Sequence, residues 1–181
     1  MNKLLGQVFL SNSIACKRKT EIQFSGRIDN VDEILFRLPN DLTQSLEKPF
    51  TKDVPYLSEL VLKSYRYWGV NCLEKLKGGF SFTIWDLEKR QIFCGRDHFG
   101  EKPFYYYIDK DRFYFSSFLT HLVNNLPQLP DLDKEAIALY LLRDWSDQDR
   151  TLYKKVYRLP PSHFLVFNNS GLKVRRYWEF Q

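Results

Sequence analysis

Residues 76–107 read LKGGFSFTIWDLEKRQIFCGRDHFGEKPFYYY, and they indicate the fold more directly than any other part of the chain. After a glycine pair, GFSFTIWD alternates apolar with small or polar residues, as a β-strand does. The polar loop DLEKRQ then leads into a second strand, QIFCGRD, and has the length and composition of an antiparallel hairpin. The stretch therefore predicts a sheet built largely from neighbouring strands.

Further strand patterns lie on both sides of this stretch. A second hairpin is predicted where IDKDR joins FYYYID to RFYFSS. The other candidate strands are LLGQVFL, EIQFSG, HFLVFN and VRRYWEF. Each is a short run with strand-like alternation bounded by turn residues.

Helical periodicity separates these strands. In VPYLSELVLKSYRYWG apolar residues recur at helical spacing, and Gly69 supplies the stop. Asp133 is placed to cap a helix in LDKEAIALYLLRDW, whose apolar face is predicted to comprise Ile137, Tyr140 and Leu141. Shorter helices are predicted in NVDEILFRL and SFLTHLVNN. Strands with helices packed on their outer faces indicate an α+β layered domain.

Length and composition limit the class of protein. The 181 residues fit one domain, 1–181, and with 44% apolar and 27% charged residues they describe a folded chain. No apolar run reaches the about 20 residues of a membrane-spanning helix, and the N-terminus lacks a signal-peptide cleavage site. We therefore expect a cytoplasmic protein with no membrane partner.

Cysteines and charge suggest neither a metal site nor a nucleic-acid interface. The three cysteines lack paired spacing and nearby histidines, so no disulfide framework and no zinc site is predicted. The net charge is +5, and the basic clusters KRK and KVRR would suit a polyanion. Both clusters flank strands, however, and no nucleic-acid-binding motif accompanies them. We therefore predict no nucleic-acid partner.

The same residues 76–107 also carry a family pattern. They resemble, almost position by position, the signature of the glutaminase domain of asparagine synthetases: a glycine-rich strand entry, Phe-x-Phe-x-x-Trp-Asp, a short turn, and Arg-Asp-x-x-Gly-x-Lys-Pro-Leu-Tyr-Tyr. The matching residues are Gly79, Phe80, Phe82, Trp85, Asp86, Arg96, Asp97, Gly100, Lys102, Pro103, Tyr105 and Tyr106. FSGRIDNVDEI is similar to the family's Asn-Gly-Glu-Ile-Tyr-Asn turn, and ELVLKSYRYWG and the C-terminal hairpin also match, so the resemblance covers nearly the whole chain.

The resemblance implies a class II glutamine amidotransferase domain with the N-terminal-nucleophile fold. This fold is a four-layer α-β-β-α sandwich of two mainly antiparallel sheets, and we expect LLGQVFL and EIQFSG to pair in one sheet and RDHFGEKPFYYY to lie in the other. In active members a cysteine after the initiator Met attacks the glutamine amide, its α-amino group is the base, and an Asn-Gly pair stabilises the oxyanion. The ammonia released passes to an ATP-using synthetase domain.

Position 2 departs from that pattern. When MNKLLG is aligned with the family's Met-Cys-Gly-Ile-x-Gly start, Gly6 meets the second glycine and Asn2 falls on the nucleophile. A carboxamide cannot replace a thiolate, because it has no ionisable lone-pair donor to activate. Asn2 also disfavours removal of Met1, since the processing enzyme prefers a small second residue.

Other site positions of the family differ as well. Ser25–Gly26 stands where the family has Asn-Gly, and losing a side-chain donor costs about 3–4 kcal/mol in comparable oxyanion holes. Tyr56–Leu57 aligns with the Ser-Asp pair that holds the glutamine amino group, and Ser117–Phe118 aligns with Ser-Glu. The loop carrying His-Arg-Gly-Pro-Asp has no counterpart. We interpret Asn2, Ser25, Gly26 and Leu57 as degenerate site positions and predict no catalytic residue.

Two interpretations of the retained signature stay open. Gly79, Trp85, Arg96, Asp97 and Pro103 either build a hairpin and a turn, or Arg96 and Asp97 mark a surface that faces a synthetase domain. In the second case the interface would comprise Gly79, Trp85, Arg96, Asp97, Gly100, Lys102, Pro103, Tyr105 and Tyr106.

The cysteines and histidines offer one further candidate for chemistry. Cys16, near Arg18, is the candidate for a substitute nucleophile, because a neighbouring cation lowers the pKa of a thiol. Cys94 is predicted to be a core residue. The single histidines 98, 121 and 163 are expected on the surface or in packing, not as metal ligands.

Three classes of function remain. The first is a non-catalytic domain that docks, in cis or in trans, to a synthetase domain of an asparagine-synthetase-like, ATP-dependent amide-forming enzyme. The second is a residual glutaminase that supplies ammonia, and the third is a free-standing binding module. No cofactor is predicted in this chain, because the Ser-Gly-Gly-x-Asp-Ser type motif of the synthetase half does not occur in it. ATP and Mg are expected only on a partner synthetase domain.

Overall fold

The computed structural model describes residues 5–9, 20–44, 46, 53–110, 112–144 and 146–180. The strands within them are β1 (Leu5–Phe9), β2 (Glu21–Gly26), β3 (Phe80–Asp86), β4 (Gln91–Arg96), β5 (Tyr105–Asp109), β6 (Arg112–Ser116), β7 (Val156–Arg158), β8 (His163–Asn168) and β9 (Gly171–Arg176). The helices are α1 (Val31–Arg37), α2 (Asn40–Thr43), α3 (Val54–Trp68), α4 (Leu119–Asn124) and α5 (Lys134–Leu141), and a 3₁₀ helix spans Gly69–Glu74.

The strands form two antiparallel sheets. One has the order β1-β6-β5-β7 and the other the order β2-β3-β4-β8-β9. Both predicted hairpins are confirmed, since β3 pairs with β4 from Asp86 opposite Gln91, and β5 pairs with β6 from Asp109 opposite Arg112. The C-terminal hairpin is β8–β9. It ends at Arg176, so the predicted strand VRRYWEF continues only as far as its second arginine.

The expected pairing of the first two strands is wrong. β1 pairs with β6 in the four-stranded sheet, whereas β2 pairs with β3 in the five-stranded sheet. The RDHFGEKPFYYY segment likewise does not lie in one sheet, because it leaves β4 at Arg96 and enters β5 of the other sheet at Tyr105. Strand alternation is equally compatible with either sheet, and long-range contacts decide between them.

Side chains on successive strand residues point to opposite faces, and this produces three apolar layers. On β6, Phe113 and Phe115 enter the core between the sheets, while Tyr114 faces the helix α4. On β3, Phe82 and Ile84 enter the core beneath α1 and α3, while Trp85 packs against Phe115 between the sheets. Helices therefore cover the outer face of each sheet, which is the predicted four-layer α-β-β-α sandwich.

The predicted helices form, but one of them packs differently from expectation. The Asp53 carboxylate caps α3, and the Asp133 carboxylate caps α5 as predicted, accepting from the backbone N–H groups of Glu135 and Ala136. The predicted apolar face of α5 is not a core face, because Tyr140 is 54% exposed and Leu141 is 74% exposed. In α5 only Ala136 is buried.

Two further expectations concern thiols and membranes. Cys72 and Cys94 are free and buried, as predicted for core cysteines, while Cys16 lies outside the described residues. In the part of the chain that the structure describes, no helix combines the length and apolar composition that crossing a bilayer requires.

Candidate functional site

A cleft of ≈ 600 Å³ opens beside the ends of β2 and β6. The first residue of β1, Leu5, pairs with Ser116 of β6, so the chain enters the sheet next to this cleft. Its walls are formed by Ser25, Gly26, Arg27, Val54, Glu101, Lys102, Pro103, Tyr105, Ser117, Phe118 and Leu119. The cleft thus joins the end of β2, the segment between β4 and β5, and the residues that follow β6.

The end of β2, at Ser25 and Gly26, has a backbone that depends on glycine. Gly26 has a φ of +127°, and a Cβ on it would lie 2.0 Å from the carbonyl oxygen of Gly79. The next backbone N–H, that of Arg27, donates to the same carbonyl oxygen at 2.9 Å. The end of β2 therefore has a backbone that favours glycine at position 26, with Ser25 beside it at the cleft wall.

Charged side chains occupy the rim of the cleft. The Arg27 guanidinium donates to the Glu101 carboxylate, and its Nε donates to Asp29 Oδ1 at 3.1 Å. The hydrogen bond from Arg27 lowers the pKa of Glu101, and the one to Glu101 raises the pKa of Arg27. This ion pair was not predicted from the sequence, because its two members lie 74 residues apart.

The structure brings together some of the predicted site positions and separates others. Ser25, Gly26 and Ser117 line the cleft. Leu57 does not, because it is buried in the core beneath α3, and Val54, one helical turn earlier, is the α3 residue at the cleft wall. Asn2 lies outside the described residues.

The chemistry available in the described part of the cleft is limited. None of its described lining residues is a cysteine or a histidine, so no thiol is paired with a base there. The described thiols lie elsewhere, and burial raises the pKa of both Cys72 and Cys94, which keeps them protonated. Among the described residues, no group of three or more His, Cys, Asp or Glu side chains is placed to hold a metal ion.

Arg96 of the signature is buried and binds backbone carbonyls. Its side chain donates to the carbonyl oxygens of Lys102 at 2.8 Å, Gly100 at 2.7 Å and Leu159 at 2.6 Å. The first two belong to the segment that crosses from β4 to β5, and the third follows β7, where the chain returns to the other sheet. Arg96 therefore ties together two crossings between the sheets.

Asp97 supplies a hydrogen-bond acceptor to the same segment, where Arg96 supplies donors. Its carboxylate accepts from the backbone N–H groups of Phe99, Glu101 and Lys102, each at 3.0 Å. Arg96 is 5% exposed and Asp97 is 1% exposed. Neither side chain is available to a partner, so these contacts support the interpretation of the pair as turn-building residues and not as an interface.

The other signature residues divide between the core and the cleft. Tyr106 is buried between the sheets and Trp85 packs at its edge, while Gly79 is buried beside the end of β2. Lys102, Pro103 and Tyr105 line the cleft. Gly100 has a φ of +71°, and a Cβ there would lie 2.7 Å from Pro161 Cγ.

Comparisons with known proteins agree with this geometry. The sequence pattern described as a glutamine amidotransferase domain matches residues 13–178. A Methanocaldococcus jannaschii protein provisionally named asparagine synthetase (glutamine-hydrolysing) 2 is 32% identical over 126 residues, which are 68% of this chain and 24% of that protein. Asparagine synthetase (glutamine-hydrolysing) 1 of Bacillus subtilis is 29% identical over 160 residues, 87% of this chain and 24% of that protein. The chain thus spans about a quarter of the length of these relatives.

A solved structure shares the fold. The glutamine phosphoribosylpyrophosphate amidotransferase of Bacillus subtilis, solved with ADP and GMP, superposes with a TM-score of 0.53 at 14% identity, over 96% of this chain and 31% of that one. Its likeness concerns the fold alone, whereas the sequence match extends over most of the chain. The protein therefore belongs to the glutamine amidotransferase domain family.

Proposed function

We propose that this chain is a glutamine amidotransferase domain that does not hydrolyse glutamine and that instead supports an ATP-dependent, amide-forming partner. The observation that carries the proposal is Asn2, which stands at the position of the family's cysteine nucleophile. Without a thiolate at that position, the covalent step of glutamine hydrolysis has no attacking group.

The cleft supports the same proposal. Ser25, at the end of β2, stands in place of the amide donor, and Leu57 is a core residue that offers no carboxylate to a substrate amino group. The Arg27–Glu101 ion pair occupies the rim instead. Fold-forming groups, by contrast, are intact, since Arg96 and Asp97 make six hydrogen bonds to backbone atoms with their side chains.

The catalytic part of the proposal is tested by glutamine turnover. The purified chain should release no ammonia or glutamate from glutamine above a buffer blank. Residual hydrolysis by a substitute nucleophile is the competing function, and Cys16→Ser tests it. Turnover that Cys16→Ser abolishes would overturn the proposal.

Restoring the nucleophile is a sharper version of this test. Asn2→Cys should leave the chain inactive, because the amide donor and the carboxylate anchor are still missing. Asn2→Ala serves as the matched control for any change in folding. A glutaminase activity in Asn2→Cys that is absent from Asn2→Ala would show that the nucleophile alone limits the wild-type chain.

The partner is the second part of the proposal. The relatives named as asparagine synthetases are about four times longer than the matched region, so the domain 1–181 would act with a synthetase domain that lies in cis or in trans. No cofactor is assigned to this chain, and ATP and Mg would be bound by the partner. Adding the chain to the synthetase domain encoded nearest to it should give a stable complex and change ATP-dependent amide formation.

Lack of association, with no change in activity or stability of the synthetase domain, would favour a free-standing binding module.

We also propose a cytoplasmic location, because Cys72 and Cys94 are free thiols, as is usual in reducing compartments. Fractionation of cells that produce a tagged chain should recover it in the cytoplasm. Recovery from the medium or the membrane would contradict this location.

A further inference from the structure

A second cavity, of ≈ 190 Å³, lies between α4, α5 and the segment that leads into β7. Its lining residues are Leu119, Ala136, Leu139, Tyr140, Asp144, Asp147, Arg150, Thr151, Leu152 and Arg158. Apart from Leu119, none of these residues lines the cleft described above. The proposed function makes no use of this cavity.

Arg158, on β7, is the unusual residue of this cavity. Its Nε atom is buried and has no hydrogen-bond partner in the structure. Its guanidinium carbon lies 5.8 Å from the centre of the Tyr105 ring. The buried cation Arg96 is also nearby: burial lowers the Arg96 pKa, and repulsion from Arg158 lowers it further. Among the described residues, no carboxylate forms an ion pair with Arg158.

Arg150, which lines the same cavity, is paired with two carboxylates. Its Nη1 lies 2.8 Å from Glu135 Oε2, and its Nε lies 3.2 Å from Asp147 Oδ2. Because the Arg158 Nε atom is buried, a ligand in the cavity would meet the other N–H groups of the guanidinium, and an anion there would offset the repulsion between Arg158 and Arg96. Arg158 therefore favours a carboxylate-bearing ligand.

The cavity also offers the opposite charge. The Asp144 carboxylate accepts from the backbone N–H of Ser146 at 2.9 Å and has no cationic partner among the described residues. With Asp147 paired to Arg150, this leaves one cation, Arg158, and one anion, Asp144, for a ligand. The apolar part of the wall is formed by Leu119, Leu139 and Leu152.

We propose that this cavity binds a free α-amino acid, with its carboxylate on Arg158, its ammonium group at Asp144 and its side chain against the leucines. A ligand with both charges matches the two unpaired side chains, and an ion of a single charge would leave one of them unpaired. The volume is below the about 300–1,000 Å³ of pockets for drug-sized ligands, so it suits an amino acid better than a nucleotide.

A ligand in this cavity would also contact a residue of the first cleft. Leu119 contributes to the walls of both, so a bound amino acid contacts a residue that shapes the glutaminase-like cleft. The proposal does not depend on whether that cleft is catalytically inactive.

The experiment is a titration of the full chain, labelled at leucine and alanine methyl groups, with each proteinogenic amino acid by NMR. We expect at least one amino acid to shift the signals of Ala136, Leu139 and Leu152 in a saturable way. The matching carboxylic acid without the amino group, and the matching amine without the carboxylate, should each bind at least about tenfold more weakly, since each loses one charge-assisted interaction.

Variants locate the site. Arg158→Gln and Asp144→Asn should each weaken binding by about tenfold or more. Asp144 is exposed, so its variant tests the proposal even if Arg158→Gln impairs folding. Arg27→Gln, at the rim of the other cleft, is the matched control and should leave the affinity unchanged.

Three results would overturn the proposal. The first is that no amino acid shifts these methyl signals at concentrations about ten times above a millimolar dissociation constant. The second is that acetate or phosphate alone binds as well as any amino acid, which would make the cavity a simple anion site. The third is binding that Arg27→Gln abolishes and Asp144→Asn leaves intact, which would place the ligand in the first cleft.

Discussion

The crossing between the sheets and the rim of the cleft use charged residues in opposite ways. At the crossing, Arg96 and Asp97 are buried, and their side-chain hydrogen bonds go to backbone atoms. At the rim, Arg27 and Glu101 are exposed and pair with each other, and Arg27 also pairs with Asp29. The buried pair fixes the path of the chain between the sheets. The exposed ion pair is screened by solvent, so the fold should depend little on its charges. In this chain, the signature residues Arg96 and Asp97 therefore have a structural role.

The largest expected effect is at the crossing. Arg96→Ala should lower the free energy of unfolding by about 3–5 kcal/mol, because three backbone carbonyl groups lose a charged donor in a buried setting. Urea unfolding followed by tryptophan fluorescence measures this loss. A decrease of less than about 1 kcal/mol would mean that water replaces the guanidinium and that the crossing does not depend on it.

A glycine substitution tests how tightly the same crossing is packed. Gly100→Ala should destabilise the fold by about 1–3 kcal/mol more than Gly171→Ala does. Both glycines have a positive φ, +71° and +98°, but a Cβ on Gly100 would meet Pro161 and the Arg96 guanidinium, while nothing lies within 4 Å of a Cβ on Gly171. Equal effects of the two substitutions would show that only backbone strain, and not contact with Arg96, is involved.

A smaller, pH-dependent effect is expected at His98, next to Asp97. Burial lowers the His98 pKa below its ordinary 6.5, against an opposing effect of Asp97, and its ring packs edge-on against Tyr177 and Trp178. Because the unfolded chain then binds the proton first, the stability from neutral His98 is complete above about pH 6.5 and decreases as the pH falls through this value towards the lower folded-state pKa. His98 is partly exposed, so after solvent screening the change should stay under about 1 kcal/mol.

Thermal unfolding across this pH range, compared with His98→Gln, isolates the contribution of the histidine. The variant should lose part of the pH dependence below neutrality. An unchanged pH profile in His98→Gln would assign the dependence to other groups.

The smallest effect is expected at the cleft rim. Arg27→Ala, and Arg27→Ala combined with Glu101→Ala, should leave the unfolding midpoint essentially unchanged, because exposed ion pairs are screened by solvent and salt. The pair also serves as the control for Arg96→Ala. A midpoint shift as large as that of Gly171→Ala would remove the contrast between the two regions.

Much of the fold could be predicted from local sequence. The β3–β4 and β5–β6 hairpins, the helix α3 and the Asp133 cap all depend on residues a few positions apart, and all four are confirmed. The four-layer sandwich followed from a family resemblance and is also confirmed. Of the candidate site, Ser25 and Gly26, which the family resemblance singled out, line the cleft at the end of β2, and their role there stays a prediction.

What sequence reasoning missed depends on contacts between distant segments. The alternation in β1 and β2 does not say which sheet each strand joins, and the periodicity of α5 does not say whether another element covers its apolar face.

By itself, then, the sequence determined the local elements, the family and the absence of a cysteine at position 2. Only the tertiary structure decided that Arg96 and Asp97 are buried between two crossings, that Arg27 meets Glu101, and that Arg158 lies unpaired at a cavity. The physical reason is the range of the interactions. Turns, caps and strand alternation depend on neighbouring residues, whereas burial and charge pairing depend on which distant segments the completed fold brings together.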